Sequence, residues 1–196
     1  MTVRAGVAGQ PIAHSLSPLI HTAWIAAAGL DADYRAFGPA DAAAFDALVA
    51  EGRAGRLRGL NVTAPFKEQA RTEFFSHALS PDCVLVEPAE ALVAEVGGMV
   101  VGPGAPGGAA LVVNALSVRP DLDVAALRAD AVLMDMTYRP LMTDFLTAGR
   151  TRGLTVVDGL AMLIGQARPS FRALFGIEPP DVDVRAMALR ALESER

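Results

Sequence analysis

Cysteine is almost missing from the sequence: Cys83 is the only one among 196 residues. One thiol cannot form an intramolecular disulfide, and it cannot supply the several ligands of a cysteine-cluster metal site. The fold must therefore be held together by an apolar core. We expect a reduced, cytoplasmic setting and no metal site.

Long apolar runs and an excess of positive charge are missing as well. No stretch approaches the length that spans a bilayer, and the first residues lack the apolar block of a signal peptide. The 22 acidic residues outnumber the 17 basic ones, which gives a formal net charge of −5. We therefore expect no general affinity for nucleic acid or for an anionic membrane.

The sequence does hold 52% hydrophobic residues, in short apolar runs that alternate with helix-like stretches. This alternation is typical of an α/β fold. Strands are predicted at residues 3–8, 34–37, 59–62, 111–113, 132–136 and 155–157. Helices are predicted at residues 17–28, 40–51, 65–75, 142–150, 159–175 and 182–192. A β-hairpin is predicted at residues 92–101, and a loop rich in glycine and proline follows it.

Two polar loops follow predicted strands, at the edge where open α/β sheets bind ligands. The first loop runs from Gly9 and contains His14-Ser15-Leu16-Ser17-Pro18. Ser17 is expected to be the N-cap of a helix and Pro18 its first residue. Hydroxyls beside a helix N-terminus favour an anion such as a carboxylate.

The second loop is Asn61-Val62-Thr63-Ala64-Pro65-Phe66-Lys67. Alternation along the strand places Asn61 and Thr63 on the same side, and Pro65 is expected to begin a helix whose first turn carries Lys67. Each residue alone has a simpler explanation as a turn residue or a solvated charge. The two loops together favour a site for a small polyhydroxylated acid.

Four motifs in this sequence resemble those of the shikimate dehydrogenase family, in the same order. They are His14-Ser15-Leu16-Ser17-Pro18 with Ile20-His21, Asn61-Val62-Thr63-x-Pro65-x-Lys67, Asp135-x-x-Tyr138-x-Pro140-x-x-Thr143, and Asp158-Gly159-Leu160-x-Met162-Leu163-x-x-Gln166-Ala167. The resemblance covers roughly residues 5–102 and 111–177. It implies a three-layer substrate-binding domain at 1–102, a truncated Rossmann-like remnant at 103–157, and C-terminal helices at 158–196 that pack back onto the first domain.

The resemblance also implies an activity, the NADP-dependent interconversion of 3-dehydroshikimate and shikimate in aromatic amino acid biosynthesis. Its substrate-binding residues would be Ser15 and Ser17 for the carboxylate, Asn61, Thr63 and Gln166 for ring hydroxyls, and Tyr138 nearby. Lys67 would be the acid/base at the reacting carbon. The partner is then a small cyclic hydroxy acid, and dimerisation is one way to cover strand edges that a shortened second half exposes.

The sequence departs from the family pattern in two places. Glu90 stands where the family has a substrate-binding asparagine, and the Asn-Thr-Asp triplet that supplies the aspartate partner of the lysine is absent after the hairpin. Gly102-x-Gly104-x-x-Gly107 matches the dinucleotide fingerprint in letters only. Pro103 and Pro106 remove backbone donors, and no helix-like stretch follows.

Three functions from different classes are therefore open. The first is an NADP-dependent oxidoreductase of the shikimate dehydrogenase type. The second is a non-redox protein that binds shikimate-like or quinate-like cyclic acids. The third is a cofactor-independent enzyme in which Lys67 and Glu90 form an acid/base pair.

Overall fold

The computed structural model describes residues 2–74, 108–115 and 122–194. The chain divides into two compact units: unit 1 is Met1–Val86 with Gln166–Arg196, and unit 2 is Glu87–Gly165. The predicted hairpin at 92–101, Glu90 and the glycine-rich segment at 102–107 lie outside the described residues. In the described ranges, no helix has both the length and the apolar character needed to cross a membrane.

Unit 1 is built on a parallel three-stranded sheet with strand order β2-β1-β3. The strands are β1 (Val3–Ala8), β2 (Ala32–Phe37) and β3 (Gly59–Val62). The helices that follow them are α1 (Ser17–Ala27), α2 (Ala42–Arg53) and α3 (Lys67–Phe74). Gly6 lets the central strand lie close to β2, because a Cβ atom there would stand 2.2 Å from the carbonyl oxygen of Arg35.

Helices pack on both faces of this sheet. On one face, Ala8 and its neighbours across the ladder, Phe37 and Val62, contact α2 and the start of α3. The rings of Phe45 and Phe66 stack there with centroids 4.9 Å apart. Side chains alternate along a strand, so the other face carries Tyr34, which stacks on a side chain of α1. The predicted α/β layering is confirmed for this unit.

The ends of α1 show one correction and one confirmation. Leu16, not Ser17, is the N-cap, so the predicted capping role of Ser17 is wrong by one residue. Both candidate positions lie in a hydroxyl-rich loop, and the sequence pattern cannot separate them. At the other end, Gly29 adopts φ 62°, and its N–H donates to Ala26 while that of Leu30 donates to Ile25. This pair of bonds is the Schellman motif, which glycine favours.

Unit 2 contains a second parallel sheet with strand order β4-β5-β6. Its elements are β4 (Leu111–Asn114), a short 3₁₀ helix (Val124–Ala126), β5 (Val132–Asp135), α4 (Asp144–Thr151) and β6 (Thr155–Val157). Leu133 of the central strand is fully buried and packs with Phe145 and Leu146 of α4. One face of the sheet is thus covered by α4 and the 3₁₀ helix, while Leu111 and Val113 of β4 are exposed.

Two helices complete the chain, α5 (Gly159–Phe175) and α6 (Val184–Ser194). Helix α5 begins in unit 2 and ends in unit 1, because the division falls between Gly165 and Gln166. In unit 1, Phe171 of α5 is fully buried, and α6 contacts α1. All the strands and helices predicted within the described ranges are present, with ends that differ by two residues at most.

Candidate active site

The two predicted loops meet at the carboxyl edge of the unit 1 sheet. Gln10 in the loop after β1 donates its backbone N–H to the carbonyl of Ala64 at 3.0 Å. Thr63 donates in turn to the carbonyl of Ala8 at 2.8 Å. Because β1 and β3 are parallel neighbours, these bonds continue the ladder beyond the strand ends. The loops therefore form one surface.

A glycine allows the loops to come this close. A Cβ atom on Gly9 would stand 2.3 Å from Cγ2 of Thr63 and 3.1 Å from the carbonyl oxygen of Ala64. Both distances are shorter than van der Waals contact, so no other residue fits at position 9 without displacing Thr63. Gly9 thus leaves the space in which the Thr63 side chain lies against the first loop.

The hydroxyls of the first loop lie at the start of α1. Ser15 Oγ accepts a hydrogen bond from the backbone N–H of Ser17 at 3.3 Å, and both serines are half-buried. The first turn of α1 contains no acidic residue, and the N-cap side chain accepts no hydrogen bond there. Pro18 has no N–H and that of Ser17 is already donated, so the helix dipole and the serine hydroxyls are the features that favour a negatively charged group here. The geometry suits a carboxylate.

Lys67 is the first residue of α3, and its side chain is exposed. The helix begins two residues later than predicted, because residues 64–66 form a turn in which Phe66 N–H donates to the carbonyl of Thr63 at 3.1 Å. Pro65 is therefore part of this turn and not the first helical residue. The correction leaves Lys67 at the start of α3, directly after the turn.

Asn61 is more constrained than the sequence indicates. Its Nδ2 donates to the hydroxyl oxygen of Tyr34 at 2.6 Å, and its Oδ1 accepts from Ser170 Oγ at 2.8 Å. An amide can donate two hydrogen bonds and accept two, so half of that capacity is used within the protein. Neither Tyr34 nor Ser170 is predicted from the sequence as a site residue. Ser170 does lie four residues after Gln166, a spacing that puts both on the same face of α5.

An aromatic cluster lies behind Asn61. His21 is fully buried and stacks on the ring of Tyr34 with centroids 4.0 Å apart, and Trp24 and Phe171 pack around it. Neither imidazole nitrogen has a hydrogen-bond partner among the described residues. Burial lowers the pKa of His21 from 6.5 to about 4, so the ring is neutral near pH 7. Burial likewise raises the pKa of the Tyr34 hydroxyl, which keeps its proton.

The predicted site residues are distributed unevenly over the two units. Unit 1 contains Ser15, Ser17, Asn61, Thr63, Lys67 and Gln166. Tyr138 belongs to unit 2, where it is half-buried and lies below the guanidinium of Arg139, 5.9 Å from the ring centroid. Glu90 lies outside the described residues, so its pairing with Lys67 stays a prediction.

Unit 2 has a buried carboxylate at the carboxyl edge of its own sheet. Asp135 is 1% exposed and accepts hydrogen bonds from Asn114 Nδ2 at 3.1 Å, Thr143 Oγ1 at 2.8 Å and the Thr137 N–H at 2.8 Å. Burial acts to raise the pKa of Asp135, but these bonds outweigh it, and the pKa falls below its usual value. The carboxylate is thus charged and ties the ends of β4 and β5 to the start of α4.

Unit 2 has a parallel sheet, and open parallel sheets bind dinucleotides at their carboxyl edge. The described helix N-termini do not fit the pyrophosphate of a dinucleotide. Thr143 Oγ1 accepts from Leu146 N–H at the start of α4, which also carries Asp144, and Asp158 Oδ1 accepts from Ala161 N–H at the start of α5. Among the residues described in unit 2, we assign no phosphate contact.

Comparison with known proteins identifies the family. The model of the shikimate dehydrogenase substrate-binding domain matches residues 7–82. The chain is 33% identical to the NADP(+) shikimate dehydrogenase of Caulobacter vibrioides, with 95% of each chain covered, and 35% identical to that of Maricaulis maris, with 96% of each covered.

A solved structure agrees with these relatives. Shikimate 5-dehydrogenase of Thermus thermophilus, in complex with NADP(H) and shikimate, superimposes with a TM-score of 0.83 at 25% identity. The match covers 97% of this chain and 100% of that one. Sequence and fold lead to the same conclusion: the chain belongs to the shikimate dehydrogenase family.

Proposed function

We propose that the protein binds shikimate in unit 1 and interconverts it with 3-dehydroshikimate in the cytoplasm, with NADP as the hydride carrier. The observation that carries this proposal is the junction of the two loops at Gly9 and Thr63. That contact joins the loop of Ser15 and Ser17 to the loop of Thr63 that precedes Lys67, in a chain whose relatives are named for this activity.

The polar groups of unit 1 complement the parts of such a ligand. Ser15, Ser17 and the N-terminus of α1 would hold the carboxylate. Thr63 and Gln166 would bind ring hydroxyls, together with the N–H and lone pair that Asn61 still has available. A site built to hydrogen-bond hydroxyls discriminates strongly against analogues that lack them, because its buried polar groups are then unpaired.

Lys67 would carry the proton of the reaction. When the substrate hydroxyl becomes a carbonyl, its O–H proton passes to Lys67 Nζ, and in reduction the same atom returns it. NADP, when bound, would supply the hydride chemistry at the same carbon. Tyr138 and the proposed domain limits at 102 and 157 belong to this hypothesis as well.

Thermal unfolding with shikimate, with NADPH and with both ligands tests the proposal. A ligand at a hundred times its dissociation constant adds about 2.7 kcal/mol to the free energy of unfolding. Stabilisation by each ligand, together with shikimate-dependent reduction of NADP(+), is the expected result. A chain that shikimate does not stabilise at any concentration would contradict the proposal.

A second candidate is a non-redox protein that binds shikimate-like or quinate-like acids. The capping of α4 by Thr143 and of α5 by Asp158 favours it, because neither helix presents a free N-terminus to a pyrophosphate. Stabilisation by shikimate alone, without NADP(+) reduction, would select this candidate. Stabilisation by quinate, with a dissociation constant similar to that of shikimate, would define its ligand class.

A third candidate uses Lys67 and Glu90 as an acid/base pair without a cofactor. It requires turnover of a cyclic acid in the absence of NADP, and that turnover should fall when Glu90→Gln removes the carboxylate. An unchanged rate in Glu90→Gln would eliminate the pair.

We also propose that the protein forms a homodimer through β4 of unit 2. Leu111 and Val113 alternate along this strand, and their side chains are 57% and 45% exposed. Apolar side chains on an exposed strand favour association. Sedimentation velocity should show a dimer that Leu111→Lys and Val113→Lys dissociate, whereas a wild-type monomer would refute this assembly.

A further inference from the structure

Strand β3 and helix α5 contact each other at two positions in unit 1. A Cβ atom on Gly59 would stand 2.7 Å from Cδ2 of Leu174, so the helix lies directly over this residue. Two residues further along the strand, Asn61 accepts the hydrogen bond of Ser170. From the first contact to the second, the residue number rises by two along the strand and falls by four along the helix. The two elements therefore run in opposite directions.

The spacing of these contacts predicts a third one. Two strand residues advance about 6.7 Å, and four helix residues advance about 6 Å, so the steps nearly match. The next residue on this side is Thr63, directly after β3, which continues the ladder through its bond to Ala8. The next position on this face of α5 is Gln166. The register therefore places Gln166 opposite Thr63.

The Asn61 amide is fixed from its other end by Tyr34. That tyrosine is 3% exposed, and its ring is held by stacking on His21. A buried hydroxyl on a packed ring is a rigid hydrogen-bond partner. The amide cannot rotate without breaking the bond to Tyr34 or the bond to Ser170, so it fixes one point of α5 on the sheet.

We propose that the hydrogen-bonded chain Ser170–Asn61–Tyr34 is a positioning device for Gln166. It holds α5 in the register in which Gln166 faces Thr63, so that both side chains bind the same part of the ligand's ring. The claim that Gln166 and Thr63 bind the ligand rests on the proposed function. The claim that they face each other does not, because it follows from contacts within the protein.

Chemical cross-linking tests the register without any ligand. In a Cys83→Ser background, Thr63→Cys with Gln166→Cys should be bridged rapidly by a short thiol cross-linker such as dibromobimane. The control pair is Thr63→Cys with Arg168→Cys, since Arg168 lies on another face of α5, over the ring of Trp24. Adding Ser170→Ala should slow bridging of the first pair. Equal rates for both pairs would overturn the register, and no effect of Ser170→Ala would overturn the positioning role of the hydrogen-bonded chain.

Calorimetric titration with shikimate tests the role of the register in binding. Ser170→Ala removes one hydrogen bond and should raise the dissociation constant about threefold to tenfold. Ser170→Thr keeps the hydroxyl and should restore affinity. In a Gln166→Ala background, the same Ser170→Ala change should have little further effect.

Two results would contradict this role. Equal losses of affinity from Ser170→Ala in both backgrounds would show that Ser170 acts independently of Gln166. A dissociation constant that Ser170→Ala leaves unchanged would show that it does not act on the ligand. If the wild-type protein binds no shikimate while Thr63 and Gln166 are bridged, the proposed function fails and the register stands.

Discussion

Gly9 and Thr63 lie in contact across the junction of two loops that are more than fifty residues apart in the sequence. A Cβ atom placed on Gly9 would stand 2.3 Å from Thr63 Cγ2, far inside van der Waals contact. The hydrogen bond between Gln10 and Ala64 lies beside this contact. The position of the Thr63 hydroxyl therefore depends on the absence of a side chain at residue 9.

We expect Gly9→Ala to separate the two loops. Overpacking of this kind costs about 1–3 kcal/mol, and the displaced Thr63 should raise the dissociation constant for shikimate. Thermal unfolding and calorimetric titration measure the two effects. The matched control is Gly165→Ala, where the added methyl group meets nothing within 4 Å and replaces a glycine inside a helix. If Gly9→Ala binds shikimate as tightly as the control, the junction does not shape the site.

We expect Lys67→Ala to abolish turnover while binding is weakened and still detectable. Lys67 is the first residue of α3, and its side chain is exposed, so its loss should leave the two loops in place. Loss of a general acid/base costs typically a hundredfold to ten-thousandfold in rate. Steady-state kinetics and titration of the same sample separate the two effects. Complete loss of binding, or an unchanged rate, would contradict the assigned role.

His21 should make the stability of the protein depend on pH. Its pKa is about 4 when folded and 6.5 when unfolded, so between these values the unfolded chain binds a proton that the folded one does not. The free energy of unfolding should therefore fall as pH drops from about 6.5 to about 4, by about 3 kcal/mol in total.

Urea unfolding from pH 7 to pH 4 measures this effect. His21→Phe keeps an aromatic ring in the cluster but removes the titrating group. The difference between wild type and His21→Phe should grow steadily as the pH falls through this window. Parallel curves for the two proteins would show that His21 is protonated in the folded state as readily as in the unfolded one.

The buried carboxylate of Asp135 should be essential to the stability of unit 2. Asp135→Ala leaves the donors of Asn114, Thr143 and Thr137 without their acceptor, which should cost about 2–4 kcal/mol. Asp130→Ala is the control, because that carboxylate forms an exposed ion pair with Arg128. Hydrogen exchange of the β4 and β5 amides reports the change locally. Equal protection in both variants would rule out a structural role for Asp135.

Much of the fold could be predicted because its signals are local. The apolar run at Val3–Ala8 and the helical pattern at Gly159–Phe175 give the element and its limits directly. The meeting of the two loops could also be expected, since the carboxyl ends of neighbouring parallel strands share an edge. The N-cap of α1 differs from the prediction by one residue because its neighbours could serve equally, and α3 begins later because residues 64–66 form a turn.

The bond between Ser170 and Asn61 could not be predicted in the same way. It joins residues 109 positions apart, and nothing in either local pattern indicates the other. The stacking of His21 on Tyr34 is equally hidden, because a histidine in a helix is compatible with either surface or core. Such contacts depend on the relative position of packed elements along their axes. The periodicity of a sequence pattern contains no information about that position.

The division of unit 1 into two chain segments has a consequence for biosynthesis. The first segment ends at Val86, and all of unit 2 is translated before the ribosome reaches Gln166. At about 5–20 residues per second, the sheet waits on the order of ten seconds for Phe171 to cover Trp24 and His21. During that interval the nascent protein exposes the side chains of Trp24 and His21, so chaperone capture should concentrate on this stage of synthesis.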